Sequence, residues 1–214
     1  MGSISSVPRV FVTLITPRLL EAMQKKYSTL SEVERTYVDA GPSPLRRTLR
    51  MTQLGLFQLG VELLGFDYGE LTLTSDQTGC PRIISRNDTK ESVEYPHISI
   101  SHSDNALAVA ISPFRIGVDI EELRTLPKSP ITLLFSPQEL TEITDDVSFT
   151  RAWVRKEAYA KWLGIGLSDA LADGTYETET HTMHVTYDES LFYLGLAGTH
   201  CQSALINQVT FATD

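Results

Sequence analysis

Asp119 and Glu121 stand two residues apart in the stretch RIGVDIEEL, residues 115–123. Side chains two apart on a strand share a face, and the flanking Ile116, Val118 and Ile120 mark the other face as buried. Two carboxylates are therefore pressed together, where repulsion and desolvation both disfavour ionisation. A hard divalent cation would relieve both effects. Magnesium takes oxygen ligands, keeps several waters and commonly shares its coordination with substrate phosphates; manganese suits the same oxygens. The competing reading of an isolated D-x-E is an edge strand with a solvated acidic face.

A second group lies in FTRAWVRKEAYAKWLG, residues 149–164. Trp153, Glu157 and Lys161 are spaced i, i+4 and i+8, so they share one stripe of a helix, with Lys156 beside it. Glu157 adds a third carboxylate, and Lys156 and Lys161 suit phosphate oxygens. Cations so placed would neutralise charge that builds in phosphoryl transfer. The same spacing also describes an ordinary surface Glu–Lys pair. A third group is HISISHSDN, residues 97–105, where serines flank His102 at a hairpin end. Such a histidine can donate to phosphate, or can satisfy the backbone of a turn. His181 and His184 are spaced H-x-x-H, which does not suit ligands on a strand, and we read them as ordinary residues.

Several elements must position these groups. RVFVTLIT (residues 9–16) reads as a first strand, ELTLTS (70–75) as another, and HISISHS and ALAVAIS as a hairpin turning at Asp104-Asn105. Ser31–Glu34 and Ser136–Glu139 are Ser-x-x-Glu capping boxes, each opening a helix. LRRTLRMTQLGLFQLGVELLG (45–65) has apolar residues at helical spacing, as has the helix ending at Gly164. The last segments, THTMHVTYD, LFYLGLAG and CQSALINQ, read as antiparallel strands. The two boxes lie about 105 residues apart, and each is followed by a linker and a long basic helix, the pattern of an internal duplication.

The chain of 214 residues is 42% hydrophobic, enough for one large core or two small ones. Its net charge of −9 argues against a general nucleic-acid binder, though not against a local basic pocket. No apolar run approaches the roughly 20 residues of a membrane span, and no signal-peptide pattern opens the chain. We expect a cytoplasmic protein with no membrane partner. Cys80 and Cys201, the two cysteines, are expected as unpaired thiols.

Taken together and in order, ISISHSDN, IGVDIEEL and WVRKEAYAKWLGIGLS resemble the three sequence motifs of the 4′-phosphopantetheinyl transferases, in their longer single-chain form. GVDIE (Gly117–Glu121) and W-x-x-K-E-A-x-x-K (Trp153–Lys161) match residue for residue. The resemblance spans about residues 30–170, with weaker echoes in GLSDAL and the final strands. It implies an α+β fold of two similar halves, a long helix on a small antiparallel sheet in each, related by a pseudo-two-fold axis. Residues 1–112 would form the N-terminal half and residues 113–214 the half carrying the metal site. The implied reaction moves phosphopantetheine from coenzyme A to a serine of an apo acyl, polyketide or peptidyl carrier protein, releasing adenosine 3′,5′-bisphosphate.

The resemblance also implies roles. Asp119, Glu121 and Glu157 would hold magnesium, and Glu157 would take the serine proton. Lys161 would bind the pyrophosphate and stabilise the leaving phosphate, with Lys156 assisting. Ser101 and His102 would contact phosphate of coenzyme A, and Arg47, aided by Arg46, would hold its 3′-phosphate. A chain containing both halves supplies a whole site, so a monomer is expected. The sequence departs from the family at Cys80, where a lysine is usual in Gly-Lys-Pro, and at Gln53 and Gln58, where arginines are common. The first of these supports an alternative: a diverged module that holds coenzyme A or a carrier without transfer. A magnesium-dependent phosphohydrolase would use the same acids on water, but no hydrolase motif accompanies them.

Overall fold

The computed structural model describes residues 6–86, 95–128, 131–132, 135–165, 180–187 and 189–210. In chain order these form β1 (Arg9–Leu14), α1 (Pro17–Lys26), α2 (Glu32–Asp39), α3 (Pro44–Leu63), β2 (Leu71–Ser75) and β3 (Pro81–Ser85). Then follow β4 (His97–His102), β5 (Ala106–Ser112), β6 (Gly117–Glu121), α4 (Pro137–Glu142), α5 (Asp146–Leu163), β7 (Thr180–Tyr187), β8 (Ser190–Ala197) and β9 (Leu205–Gln208). The class is mixed α+β, as the motifs implied. The echo at residues 166–171 lies outside the described residues.

Local chemistry fixes the helix starts. Ser31 and Ser136 each accept from the backbone N–H three residues on, while Glu34 and Glu139 reach back to the capping N–H, so both boxes form. Thr16 and Ser43 cap α1 and α3, and proline follows each cap directly, where its missing N–H costs nothing. Helix α1 and strand β3 are additions to the sequence reading. The signal for α1 was Thr16-Pro17.

Period-two alternation then builds the layers. The first sheet has the order β4-β5-β1-β9. Phe11, Leu107, Val109 and Ile111 point to one side, into a core with α1, α2, α3 and β2. Val10, Val12, Ala106, Ala108 and Ala110 point to the other, against the second sheet, β6-β8-β7. That sheet answers with Val118, Ile120, Leu194 and Leu196. The small alanines of β5 let the two sheets approach.

The far face of the second sheet takes α5. Gly117, Asp119 and Glu121 share this face, and Gly195 is paired directly opposite Asp119. A Cβ on Gly117 would lie 1.9 Å from the Ala158 carbonyl oxygen, and one on Gly195 would lie 2.2 Å from that of Val154. The helix backbone therefore rests on bare strand backbone, which brings its side chains down to Asp119.

One strand departs from expectation. β7 and β8 pair antiparallel, but β9 runs parallel to β1, and Cys201–Ser203 is a short 3-10 turn instead of strand. The outer edge of β1 has backbone groups that need partners, and the four residues Leu205–Gln208 supply them.

Candidate active site

Strand alternation sorts the HISISH segment into two faces. Ser99 and Ser101 turn towards β6. Ser99 Oγ accepts from the Val118 N–H at 3.0 Å, which locks β4 to β6 in register. One pleat along, Ser101 Oγ donates to Asp119 Oδ1 at 2.6 Å. Lys161 reaches in from α5, with Nζ 2.7 Å from Asp119 Oδ1 and 2.9 Å from Ser101 Oγ. Three residues from three elements, one from each sequence motif, thus meet at one carboxylate oxygen. The other oxygen, Asp119 Oδ2, is buried without a hydrogen-bond partner among the described residues.

The two remaining carboxylates feel Asp119. Burial, then the charge of Asp119, raises Glu121 above the usual carboxylate range, against the pull of Arg124. Burial, then Asp119, likewise raises Glu157, against Lys161 and Arg124. So Asp119, Glu121 and Glu157 form one electrostatic neighbourhood, although among the described residues no three of His, Cys, Asp and Glu are gathered as a metal-holding group. Glu121 is held by Arg124, with Nη1 at 2.6 Å from Oε1. By donor chemistry the set suits a hard cation: three oxygen acids, one of them with an orphaned buried oxygen.

His102, on the opposite face of β4 from Ser101, points to α3. Its Nε2 accepts from Arg46 Nη1. The surrounding protein desolvates the imidazole, and Arg46 and Lys161 add positive charge, so its pKa falls below the usual range. Arg46 and His102 line two cavities. One, about 610 Å³, also has Glu121, Arg124 and Asp104 in its wall. The other, about 410 Å³, has Tyr37, Arg50, Gln53 and the Gly79 and Pro81 that flank Cys80. The turn of the hairpin closes the first cavity's rim, where Asn105 donates to Glu122 at 2.8 Å.

Two of the named basic residues lie elsewhere. Lys156 is 2% exposed, and its Nζ sits 3.0 Å from Glu139 Oε2 and 4.7 Å from the centre of the Phe135 ring. It points away from the stripe of Glu157 and Lys161, as one helical position must, and burial lowers its pKa. Arg47 donates from Nε to the Gly41 carbonyl at 3.2 Å and lines neither cavity; Arg46 faces both. Sequence reasoning gave Arg124 no role. Its only sequence signal was a cation three residues beyond the D-x-E.

A family model described as the 4′-phosphopantetheinyl transferase superfamily matches residues 115–201. That segment contains Asp119, Glu121, Glu157 and Lys161. A curated relative, the 4′-phosphopantetheinyl transferase psf-1 of Bacillus pumilus, is 28% identical over 85 residues, which is 37% of this chain. The match spans 36% of the relative's own length. Across the strand and helix that carry its acids, this chain thus has the sequence likeness to the 4′-phosphopantetheinyl transferase superfamily that its motifs led us to expect.

Proposed function

We propose that this chain transfers the 4′-phosphopantetheine group of coenzyme A to a serine of an apo carrier protein, releasing adenosine 3′,5′-bisphosphate. The observation that carries the reading is the meeting of Ser101, Asp119 and Lys161, with Glu121 and Glu157 coupled to them, inside the segment that resembles the transferases. Residues 1–112 and 113–214 serve as the two walls of the site.

Asp119, Glu121 and Glu157 would hold a magnesium or manganese ion, which when bound offsets the charge of the pyrophosphate. The chain's own groups do the rest. Glu157, whose proton affinity is raised by burial and by Asp119, accepts in its ionised form the proton of the attacking serine hydroxyl. The serine oxygen bonds to phosphorus as the bridging oxygen of the pyrophosphate departs with its electron pair. Lys161, held in place by Ser101 and Asp119, donates to that leaving phosphate. Arg46 and His102, at the junction of the two cavities, contact the cofactor's phosphates, and Arg50 extends the basic wall past Cys80. A neutral His102 can donate one hydrogen bond to an anion without a fixed charge.

The test is an intact-mass spectrum of apo acyl, polyketide and peptidyl carrier proteins mixed with this protein, coenzyme A and magnesium. A gain of one phosphopantetheine, lost with a chelator, is expected. Coenzyme A binding without mass gain on any carrier would instead favour the module that holds the cofactor without transfer.

A further inference from the structure

Glu121 already has a cation. Arg124 Nη1 lies 2.6 Å from Glu121 Oε1, and the guanidinium carbon is 4.6 Å from the centre of the Trp153 ring. The backbone beneath it is fixed, since the Arg124 N–H donates to the buried Thr150 Oγ1 on α5 at 2.9 Å. The side chain therefore hangs from a rigid point over the site, in the wall of the 610 Å³ cavity. Asp119 has Lys161 in the same way. Three carboxylates face two internal cations, and a divalent ion must compete for the same oxygens.

The two cations are not held equally. Lys161 bonds both Ser101 and Asp119, and its side chain is 30% exposed. Arg124 has one carboxylate and one ring face, and its side chain is 42% exposed. A half-exposed pair and a stacked guanidinium are each worth little, and water can solvate the freed group. Arg124 is therefore the less firmly held of the two.

We propose that Arg124 is an internal counter-cation that occupies Glu121 until a divalent ion binds, then leaves Glu121 and Trp153 for the cavity it lines. The inference rests on the metal reading given under the proposed function. In this role Arg124 is a positioning residue: it sets how readily Glu121 is released to the ion.

The experiment is a manganese titration without coenzyme A, followed by the electron paramagnetic resonance signal of the free ion. Wild type, Arg124→Gln, Arg124→Lys and Asp119→Asn are compared. Arg124→Gln keeps the backbone bond to Thr150 and is expected to bind manganese about three- to tenfold more tightly. Arg124→Lys keeps the charge and should stay nearer wild type. Magnesium should change the tryptophan emission of wild type as the guanidinium leaves Trp153, and this change should be lost in Arg124→Gln. Equal or weaker manganese binding by Arg124→Gln overturns the inference and leaves the transfer reading standing. Undiminished binding by Asp119→Asn overturns the metal reading itself, and the inference with it.

Discussion

Lys161 and Asp119 meet across the gap between α5 and β6, Nζ to Oδ1 at 2.7 Å, with the Ser101 hydroxyl bonded to both. The contact joins three segments that are far apart in sequence. It depends on the sheet pairing that sets Ser101 beside Asp119 and on the close approach of α5.

If the proposed transfer is right, removing the shared acceptor should stop it while sparing the fold. Asp119→Ala leaves Lys161, partly exposed, free to find water. We expect transfer to fall at least about a hundredfold, with a stability change within about 2 kcal/mol. Ser101→Ala removes one partner of two and should cost about tenfold in rate. Time courses of carrier mass gain, beside thermal unfolding curves, check both.

Lys156 should behave as a stability residue. Its pair with Glu139 is nearly water-free, at 2% and 3% side-chain exposure. Lys156→Met leaves a buried carboxylate that also serves a helix cap, at a cost of about 3–5 kcal/mol. The double variant Lys156→Met/Glu139→Gln should recover much of that loss. At a temperature where the single variant stays folded, its KM for coenzyme A should match wild type. A raised KM would return Lys156 to the cofactor site.

Acid should unfold the protein partly through Glu34. Burial opposes its charge, but hydrogen bonds from Tyr68, Ser31 and Arg86 outweigh burial and lower its pKa from 4.5 to about 2. A carboxylate depressed in the fold stabilises above its unfolded pKa, and that stability is lost as pH falls through the folded value. The window therefore runs from 4.5 down to about 2, and the amount is on the order of 3 kcal/mol. Urea midpoints measured across this range should fall steeply for wild type and flatten for Glu34→Gln.

Helix α5 should be dislodged by one added side chain. A Cβ at Gly195 would lie 2.2 Å from a backbone oxygen that has no flexible end to move. Gly195→Val is expected to destabilise by at least about 2 kcal/mol. It should also lower transfer below what its folded fraction explains, because α5 carries Glu157 and Lys161. Thermal unfolding and single-turnover transfer on the folded protein separate the two effects.

Spacing placed the acids and Lys161 on shared faces, period two in GVDIE and period four in the helix, but left each pattern open to an ordinary surface reading; their roles came from the resemblance of the three motifs taken together. The two capping boxes were legible because both partners lie within one turn. What escaped depends on distant packing. Lys156 and Lys161 look alike in a string, and it takes the placement of α4 on one side of α5 and of β6 on another to bring the first to Glu139 and the second to Asp119. Arg46 and Arg47 are neighbours, and the direction of α3 alone turns the first to His102 and the second to Gly41. Parallel pairing of β9 was invisible because four residues carry no record of the strand they will join.

That parallel pairing, Arg9 to Leu205 through Val12 to Gln208, sets an order of events in synthesis. While the second half is still being made, β1 has β5 on one side and nothing from its own sheet on the other. Among the described strand pairings, this contact spans the greatest separation in sequence, so it bears a large loop-closure entropy and forms late. An N-terminal fragment made alone would keep a bare strand edge, the feature that promotes aggregation. The β1–β9 pairing thus couples the folding of the first sheet to residues 205–208.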